Sequence, residues 1–232
     1  TILKVKNLTV SFGGPSVLTG VDFEGREGDT LAIIGPNGSG KTVLFRALLG
    51  SISYEGEVWW RPGVRIGYVP QRVDLDRHLS LNLQDFLLLK IRLLRLTRHA
   101  LDEALAAVHL SPGRLAIPLM YLSAGELQRG LIAFALIGWP DVLLFDEPTA
   151  GVDLPREEQI YQKIHTFQDE HDMTVILISH DLNLVYRYAR KVLCLNRELF
   201  CFGNPAETLT PNILHKLYGD RVLHHHIGHP HD

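Results

Sequence analysis

At 232 residues, with 46% hydrophobic residues and a formal net charge of -3, the chain is long enough to bury a sizeable core as one large domain or a domain with an inserted subdomain. It lacks the basic excess of a protein whose main partner is nucleic acid, so no nucleic-acid partner is expected. No apolar run reaches the roughly 20 residues that span a bilayer: the greasiest stretch, LNLQDFLLLKIRLLRL, is broken by Asp85, Lys90, Arg92 and Arg95.

The N-terminus, TILKVKNLTV, alternates like a strand and lacks the charged and apolar regions of a signal peptide, which predicts a chain that stays in the cytosol. Short β-rich runs follow one another through the first third (ILKVKNLTVSF, VDFEG, TLAIIG, EGEVWW, VRIGYVP), punctuated by Gly and Pro turns.

The stretch LAIIGPNGSGKTVLFRALLG interrupts this series with G-x-x-x-x-G-K-T, made of Gly35, Pro36, Asn37, Gly38, Ser39, Gly40, Lys41 and Thr42. An apolar strand precedes the pattern and an amphipathic helix follows it. Gly35, Gly38 and Gly40 permit backbone turns that aim successive N–H groups at a phosphate, at the positive end of the helix. Lys41 would reach the terminal phosphates and the Thr42 hydroxyl would ligate Mg²⁺. Such a pattern arises by chance in on the order of one chain in a hundred of this length, and an ordinary Gly-rich turn does not explain Lys and Thr at the first helical positions.

From about Ser80 to Trp139 the apolar residues recur at helical spacing, through LNLQDFLLLKIRLL, HALDEALAAVHL and SAGELQRGLIAFALIGW. Most of the leucine stripe reads as core, with some of Phe86 to Leu89 left to dock a partner. Ser123 and Glu126, spaced as a capping box, start a helix predicted to run to Trp139.

The strand DVLLFDEP ends in Asp146 and Glu147, carboxylates that a packed strand would avoid unless they had partners. Beside a phosphate loop, Asp146 would hold Mg²⁺ through its water shell, while Glu147 would orient the attacking water and take its proton. The alternative is a pair of solvated residues at a strand end. A helix is predicted from about Pro155 to His171, then the strand TVILIS, ending at His180 and Asp181. Asp181 caps the next helix. His180 lies at the carboxyl end of its strand, the edge where ligands gather in parallel α/β sheets, and is assigned a γ-phosphate contact.

KVLCLNRELFCFG reads as a hairpin that brings Cys194 and Cys201 side by side. A disulfide or a metal role stands against two small apolar residues packed in strands, and reducing conditions favour the last. Short helices follow. The chain then ends HHHIGHPHD, where His224, His225, His226, His229 and His231 either bind Zn²⁺ or a similar ion or form a solubilising tail or cloning scar. The alternation of elements implies a parallel α/β core interrupted by a helical subdomain.

Taken in order, the motifs resemble the ATP-binding-cassette family over nearly the whole chain: Phe12, the phosphate loop, Gln71 in YVPQ, the signature LSAGE from Leu122 to Glu126, DVLLFDEP, AGVD ending at Asp153, and ISHD. The resemblance implies a P-loop NTPase core, a RecA-like parallel sheet with an N-terminal antiparallel β subdomain, spanning residues 1–75 and 140–220. A helical signature subdomain would span residues 76–139 and a His-rich tail residues 221–232. It also implies that the Phe12 ring stacks on adenine, that Gln71 touches Mg²⁺ and links the site to membrane partners, and that Ser123, Ala124, Gly125 and Glu126 contact the nucleotide of the other subunit in a head-to-tail homodimer. Asp153 would support communication between the sites. Three residues depart from the family's pattern: Phe12 replaces the commoner Tyr, Ala124 a Gly and Glu126 a Gln, the last adding negative charge near another anion.

The implied protein is an ATP hydrolase using ATP and Mg²⁺, peripheral on the cytoplasmic face of the membrane. It would work with two transmembrane permease subunits and, indirectly, an extracytoplasmic substrate-binding protein. DEPTAGVD and the C-terminal stretch resemble the zinc and manganese importer branch. Importers of iron chelates, haem or cobalamin are the alternative within transport, and a soluble non-transport cassette ATPase is the alternative from another class. Long coiled-coil insertions and a second cassette, the marks of those soluble ATPases, are absent from this sequence.

Overall fold

The structure, a computed structural model, describes residues 1–71, 73, 81–147 and 154–219. In chain order its elements are β1 (Leu3–Val10), β2 (Leu18–Gly25), β3 (Thr30–Ile34), α1 (Lys41–Leu48), β4 (Glu55–Trp60), β5 (Ile66–Val69), α2 (Leu83–Leu93) and α3 (His99–Ala107). Two 3₁₀ turns (Pro112–Arg114 and Leu119–Tyr121) lead to α4 (Ala124–Leu136), β6 (Val142–Asp146), α5 (Leu154–His171), β7 (Thr174–Ile178), α6 (Leu182–Tyr188), β8 (Lys191–Asn196), β9 (Glu198–Gly203), α7 (Pro205–Thr208) and α8 (Pro211–Tyr218). The chain is α/β, with parallel strands, an antiparallel β-sheet and helices. It divides into two compact units: Thr1–Pro62 with the chain from Ile176 onward, and Gly63–Val175.

In the first unit, Leu3 and Val5, then Leu8 and Val10, of β1 are buried while Lys4 and Lys6 face out; the change of phase falls at an irregularity around Asn7, whose φ is 49°. Antiparallel register sets Val5 opposite Phe23 of β2 and opposite Val58 of β4, giving the order β2-β1-β4. β3 has no alternation, because all five of its residues are buried, as in parallel strands covered on both faces. It runs parallel to β8, with Ile34 opposite Cys194. The end of β7 lies beside it, since the Ser179 N–H donates to the Ile33 carbonyl at 3.3 Å. α1 packs inward through Leu44, Phe45 and Leu48.

In the second unit, β5 and β6 pair in parallel, Val69 opposite Phe145. α2 buries Leu83, Leu87 and Ile91, a stripe spaced four residues apart. It crosses α4 at Gly130, where a Cβ would lie 2.8 Å from Leu83 Cδ1, and Phe86 stacks on Phe134 with ring centroids 4.4 Å apart. Leu89 and Leu93 of α2 stay exposed.

Two expectations need correction. α4 ends at Leu136 rather than Trp139, because Gly138 and Trp139 both take positive φ (82° and 49°), which no helix continues through. Cys194 and Cys201 are joined in a disulfide, not packed as separate thiols. The β8–β9 register sets them directly opposite, Cα atoms 4.8 Å apart, within the span a disulfide bridges.

Candidate active site

In the first unit, residues 35–40 fill the interval between the buried end of β3 and the start of α1. Gly40 caps α1 at φ 98°, a left-handed conformation, and a Cβ there would lie 2.5 Å from Leu18 Cδ2. At Gly35 a Cβ would collide with the Leu195 carbonyl oxygen. Glycine is therefore required at Gly35 by close approach to backbone and at Gly40 by its left-handed conformation.

The β8–β9 turn holds this loop from behind. The Arg197 N–H donates to the Ser39 carbonyl at 3.0 Å, and the Thr19 N–H to the Arg197 carbonyl at 2.8 Å.

Lys41 is buried, with Nζ donating to the carbonyls of Gly35 and Pro36 at 2.9 and 3.1 Å. The Ser39 side chain is buried too, and its Oγ has no hydrogen-bond partner among the described residues. α1 carries neither a side-chain cap nor an acidic residue in its first turn. An ammonium lying on the loop carbonyls, a hydroxyl without a partner among the described residues and a helix N-terminus without carboxylates together suit a phosphate chain. Asn37, Gly38 and Thr42 are exposed at the rim, Pro36 is half-buried, and the Phe12 ring is 59% exposed, open to stacking. His180, also exposed, follows Ser179 and so lies just past the strand end adjacent to β3. Asp181 caps α6, accepting from the Asn183 N–H at 2.7 Å.

In the second unit the β5–β6 register decides what meets. Gln71 and Glu147 each lie two residues beyond the Val69–Phe145 pair, and Gln71 Nε2 donates to Glu147 Oε2 at 2.5 Å. Asp146 is buried, with the Tyr68 hydroxyl 3.5 Å from Oδ2, at the long limit of a hydrogen bond. Carboxylate oxygens beside a strand end are hard donors of the kind Mg²⁺ takes.

At the start of α4, Ser123 and Glu126 form the expected capping box. The Ser123 N–H and Oγ donate to Glu126 Oε2 at 2.9 and 2.8 Å, and the Glu126 N–H donates to Ser123 Oγ at 3.3 Å. Arg114 Nε pairs with Glu126 Oε1 at 2.8 Å. Hydrogen bonds from Ser123, then the Arg114 and Arg129 charges, hold the Glu126 carboxyl below its ordinary range against the opposing effect of desolvation. Ser123 and Ala124 are exposed, while Gly125 is half-buried with open space around its Cα.

Asp153 and the five tail histidines lie outside the described residues. Among the described residues no group of His, Cys, Asp and Glu is arranged to hold a metal ion, and no helix is long and apolar enough to cross a membrane. Sequence reasoning missed Arg114 and Tyr68. Tyr68 had a legible signal, since it precedes Gln71 on the strand paired with the one that ends in Asp146. Arg114, on an irregular turn, had none.

Residues 18–150, more than half of the chain, match the family model described as ABC transporter. The chain belongs to the ABC transporter family. Its curated relatives include the zinc import ATP-binding protein ZnuC of Pseudomonas entomophila (strain L48), 36% identical, covering 100% of this chain and 91% of the relative. The protein of the same name from Pseudomonas aeruginosa (strain UCBPP-PA14) is 38% identical, covering 100% and 87%. Among solved structures, a transporter described as metal-chelate type, in an inward-facing conformation, matches with a TM-score of 0.81 and 27% identity, over 93% of this chain and 88% of that one. CbiO1 from Clostridium perfringens, part of the ABC transporter complex CbiONQ, matches with a TM-score of 0.74 and 28% identity over 89% of each chain. As a family member the chain is an ATP-binding, ATP-hydrolysing subunit that works with membrane permease subunits.

Proposed function

We propose that this chain hydrolyses ATP to drive zinc uptake through separate membrane subunits. The observation that carries this reading is its 36–38% identity to zinc import ATP-binding proteins across the whole chain. The metal-chelate type neighbour, at 27% identity, favours iron-chelate import as the second reading.

Within this reading residues 35–42 hold the triphosphate, Phe12 stacks on adenine, and Thr42, Gln71 and Asp146 serve Mg²⁺. Glu147 is the general base and His180 contacts the γ-phosphate. Two copies associate head to tail, residues 123–126 of each facing the nucleotide of the other, with Asp153 linking the two sites. The core spans residues 1–75 and 140–220 and the signature subdomain residues 76–139. The dimer lies on the cytoplasmic face of the membrane beneath two permease subunits, and an extracytoplasmic binding protein delivers the metal to them. The exposed Leu89 supports a docking role for the surface near Phe86–Leu89.

Crosslinking in native membranes identifies the permease, and the assembled transporter in vesicles is then assayed for ATP-dependent uptake of Zn²⁺, Mn²⁺, a ferric chelate and cobalamin. Zinc uptake abolished by Lys41→Ala is the expected result. Uptake of only the chelate or cobalamin would favour the second reading, and recovery of ribosomes or DNA-repair proteins in place of a permease would remove transport altogether.

A further inference from the structure

We propose that Arg114 is a positioning residue of the signature helix, neutralising and orienting the Glu126 carboxylate so that the N-terminus of α4 can accept a partner's nucleotide. The inference rests on the proposed contact of residues 123–126 with that nucleotide.

Glu126 brings a full negative charge into the first turn of α4, favourable for the helix dipole but repulsive toward a triphosphate. Its side chain is 15% exposed and that of Arg114 51%, so solvent screens the pair only in part. Arg114 Nε, 2.8 Å from Oε1, supplies the opposite charge at close range.

The carboxylate divides its two oxygens. Oε1 faces Arg114, and Oε2 is turned back over the N-cap, where it accepts from both the N–H and the Oγ of Ser123. The Ser123 hydroxyl proton therefore points at Glu126 and must turn away before the hydroxyl can donate to a phosphate. By drawing charge toward Oε1, Arg114 weakens the hold of Oε2 on that proton. It also keeps the carboxylate from swinging outward into the path of the anion. Arg114 is held in place by its own short turn: Ser111 caps Pro112–Arg114, and the Arg114 N–H donates to the Ser111 carbonyl at 2.9 Å. Arg129, on α4 itself, adds a weaker attraction to Glu126.

The test is a double-mutant cycle in the assembled transporter, comparing Arg114→Ala, Glu126→Gln and the double variant. Each is assayed for ATP concentration at half-maximal turnover and, as the isolated chain, for nucleotide binding. Arg114→Ala is expected to raise the half-maximal ATP concentration roughly fivefold, as for a partly exposed ion pair, with nucleotide binding by the isolated chain unchanged. In the Glu126→Gln background, where no charge needs neutralising, the same substitution should have little effect, and Arg114→Lys should recover part of the loss. Equal effects of Arg114→Ala in both backgrounds, or none in either, would overturn the proposal, since an arginine that does not act through Glu126 gives no such coupling, and a loss of nucleotide binding by the isolated chain would mark a general structural defect instead. Normal turnover by Ser123→Arg would instead remove the underlying partner contact.

Discussion

Gln71 Nε2 donates to Glu147 Oε2 at 2.5 Å, although 76 residues separate the two in sequence. Both lie beyond the ends of paired parallel strands, and Glu147 is held at φ 43°, a left-handed conformation that costs a non-glycine residue on the order of 1 kcal/mol or more. Strain of this kind persists where the surroundings enforce it, and here it presents a carboxylate next to the buried Asp146. An amide at position 71 can orient that carboxylate without adding charge.

Glu147→Gln should leave ATP binding nearly unchanged and lower turnover by about 100-fold or more, the usual contribution of a general base. The substituted amide keeps an oxygen to accept from Gln71, so the geometry survives while proton acceptance from water is lost. Nucleotide titration and ATPase rate in the assembled transporter check this, together with accumulation of an ATP-stabilised dimer. Near-normal turnover would take Glu147 out of the role of base.

Lys41→Ala and Ser123→Arg should separate binding within a chain from binding across a dimer. Lys41 Nζ already lies on the loop carbonyls of Gly35 and Pro36, so its loss should impair nucleotide binding by the isolated chain. Ser123 caps a helix in the other compact unit. An arginine there should leave monomer binding intact and block ATP-driven dimerisation and turnover. Equal loss of monomer binding in both variants would contradict a composite site.

The difference between what the sequence revealed and what it hid follows the range of the interactions. The Ser123–Glu126 capping box was legible because a three-residue spacing determines its geometry. The glycines at 35 and 40 were legible as a loop, yet what they approach, the Leu195 carbonyl and the Leu18 side chain, is set by other strands. Arg114 meets Glu126 through an irregular turn that has no period to read. The end of α4 was misplaced because apolar residues continue past Leu136, and only the backbone at Gly138 and Trp139 marks the stop. At the cysteines a general expectation about redox environment outweighed the hairpin register, which brings Cys194 and Cys201 directly opposite.

Lys90 gives a stability effect with a definite sign. Its Nζ donates to the Phe134 and Ala135 carbonyls at 2.7 and 2.8 Å, closing the last turn of α4, and burial pushes its pKa down to about 8. A neutral amine still has two N–H groups, one for each carbonyl. With the folded pKa below the unfolded value, the unfolded chain binds the extra proton between about pH 8 and 10.5, so stability rises with pH through that window. Lys90→Met removes the titration. The stability of wild type relative to Lys90→Met, from denaturant unfolding, should therefore rise by about 1–3 kcal/mol across that interval, the lower end reflecting partial solvent screening. A difference that is flat or falls with pH would contradict the assignment.

The C-terminal histidines lie outside the described residues, and their prediction rests on chemistry alone. His224, His225, His226, His229 and His231, with Asp232, offer several imidazole nitrogens and a carboxylate within nine residues, a donor set suited to Zn²⁺. In a subunit that powers zinc uptake, such a cluster would bind the imported ion and either buffer it or slow ATP turnover when the ion is abundant. Both effects require neutral imidazole, so they should fade as pH falls through about 6.5. The measurement is a Zn²⁺ titration of the full chain against a version ending at Leu223, following binding directly and ATPase rate in the assembled transporter. The full chain is expected to bind additional zinc, reversibly with acid, and its ATPase rate to fall at lower zinc than that of the shortened chain if the tail is inhibitory. Superimposable curves at neutral pH would leave these histidines with no part in handling the metal, while the phosphate loop and the Gln71–Glu147 pair would keep their assignments because they depend on different residues.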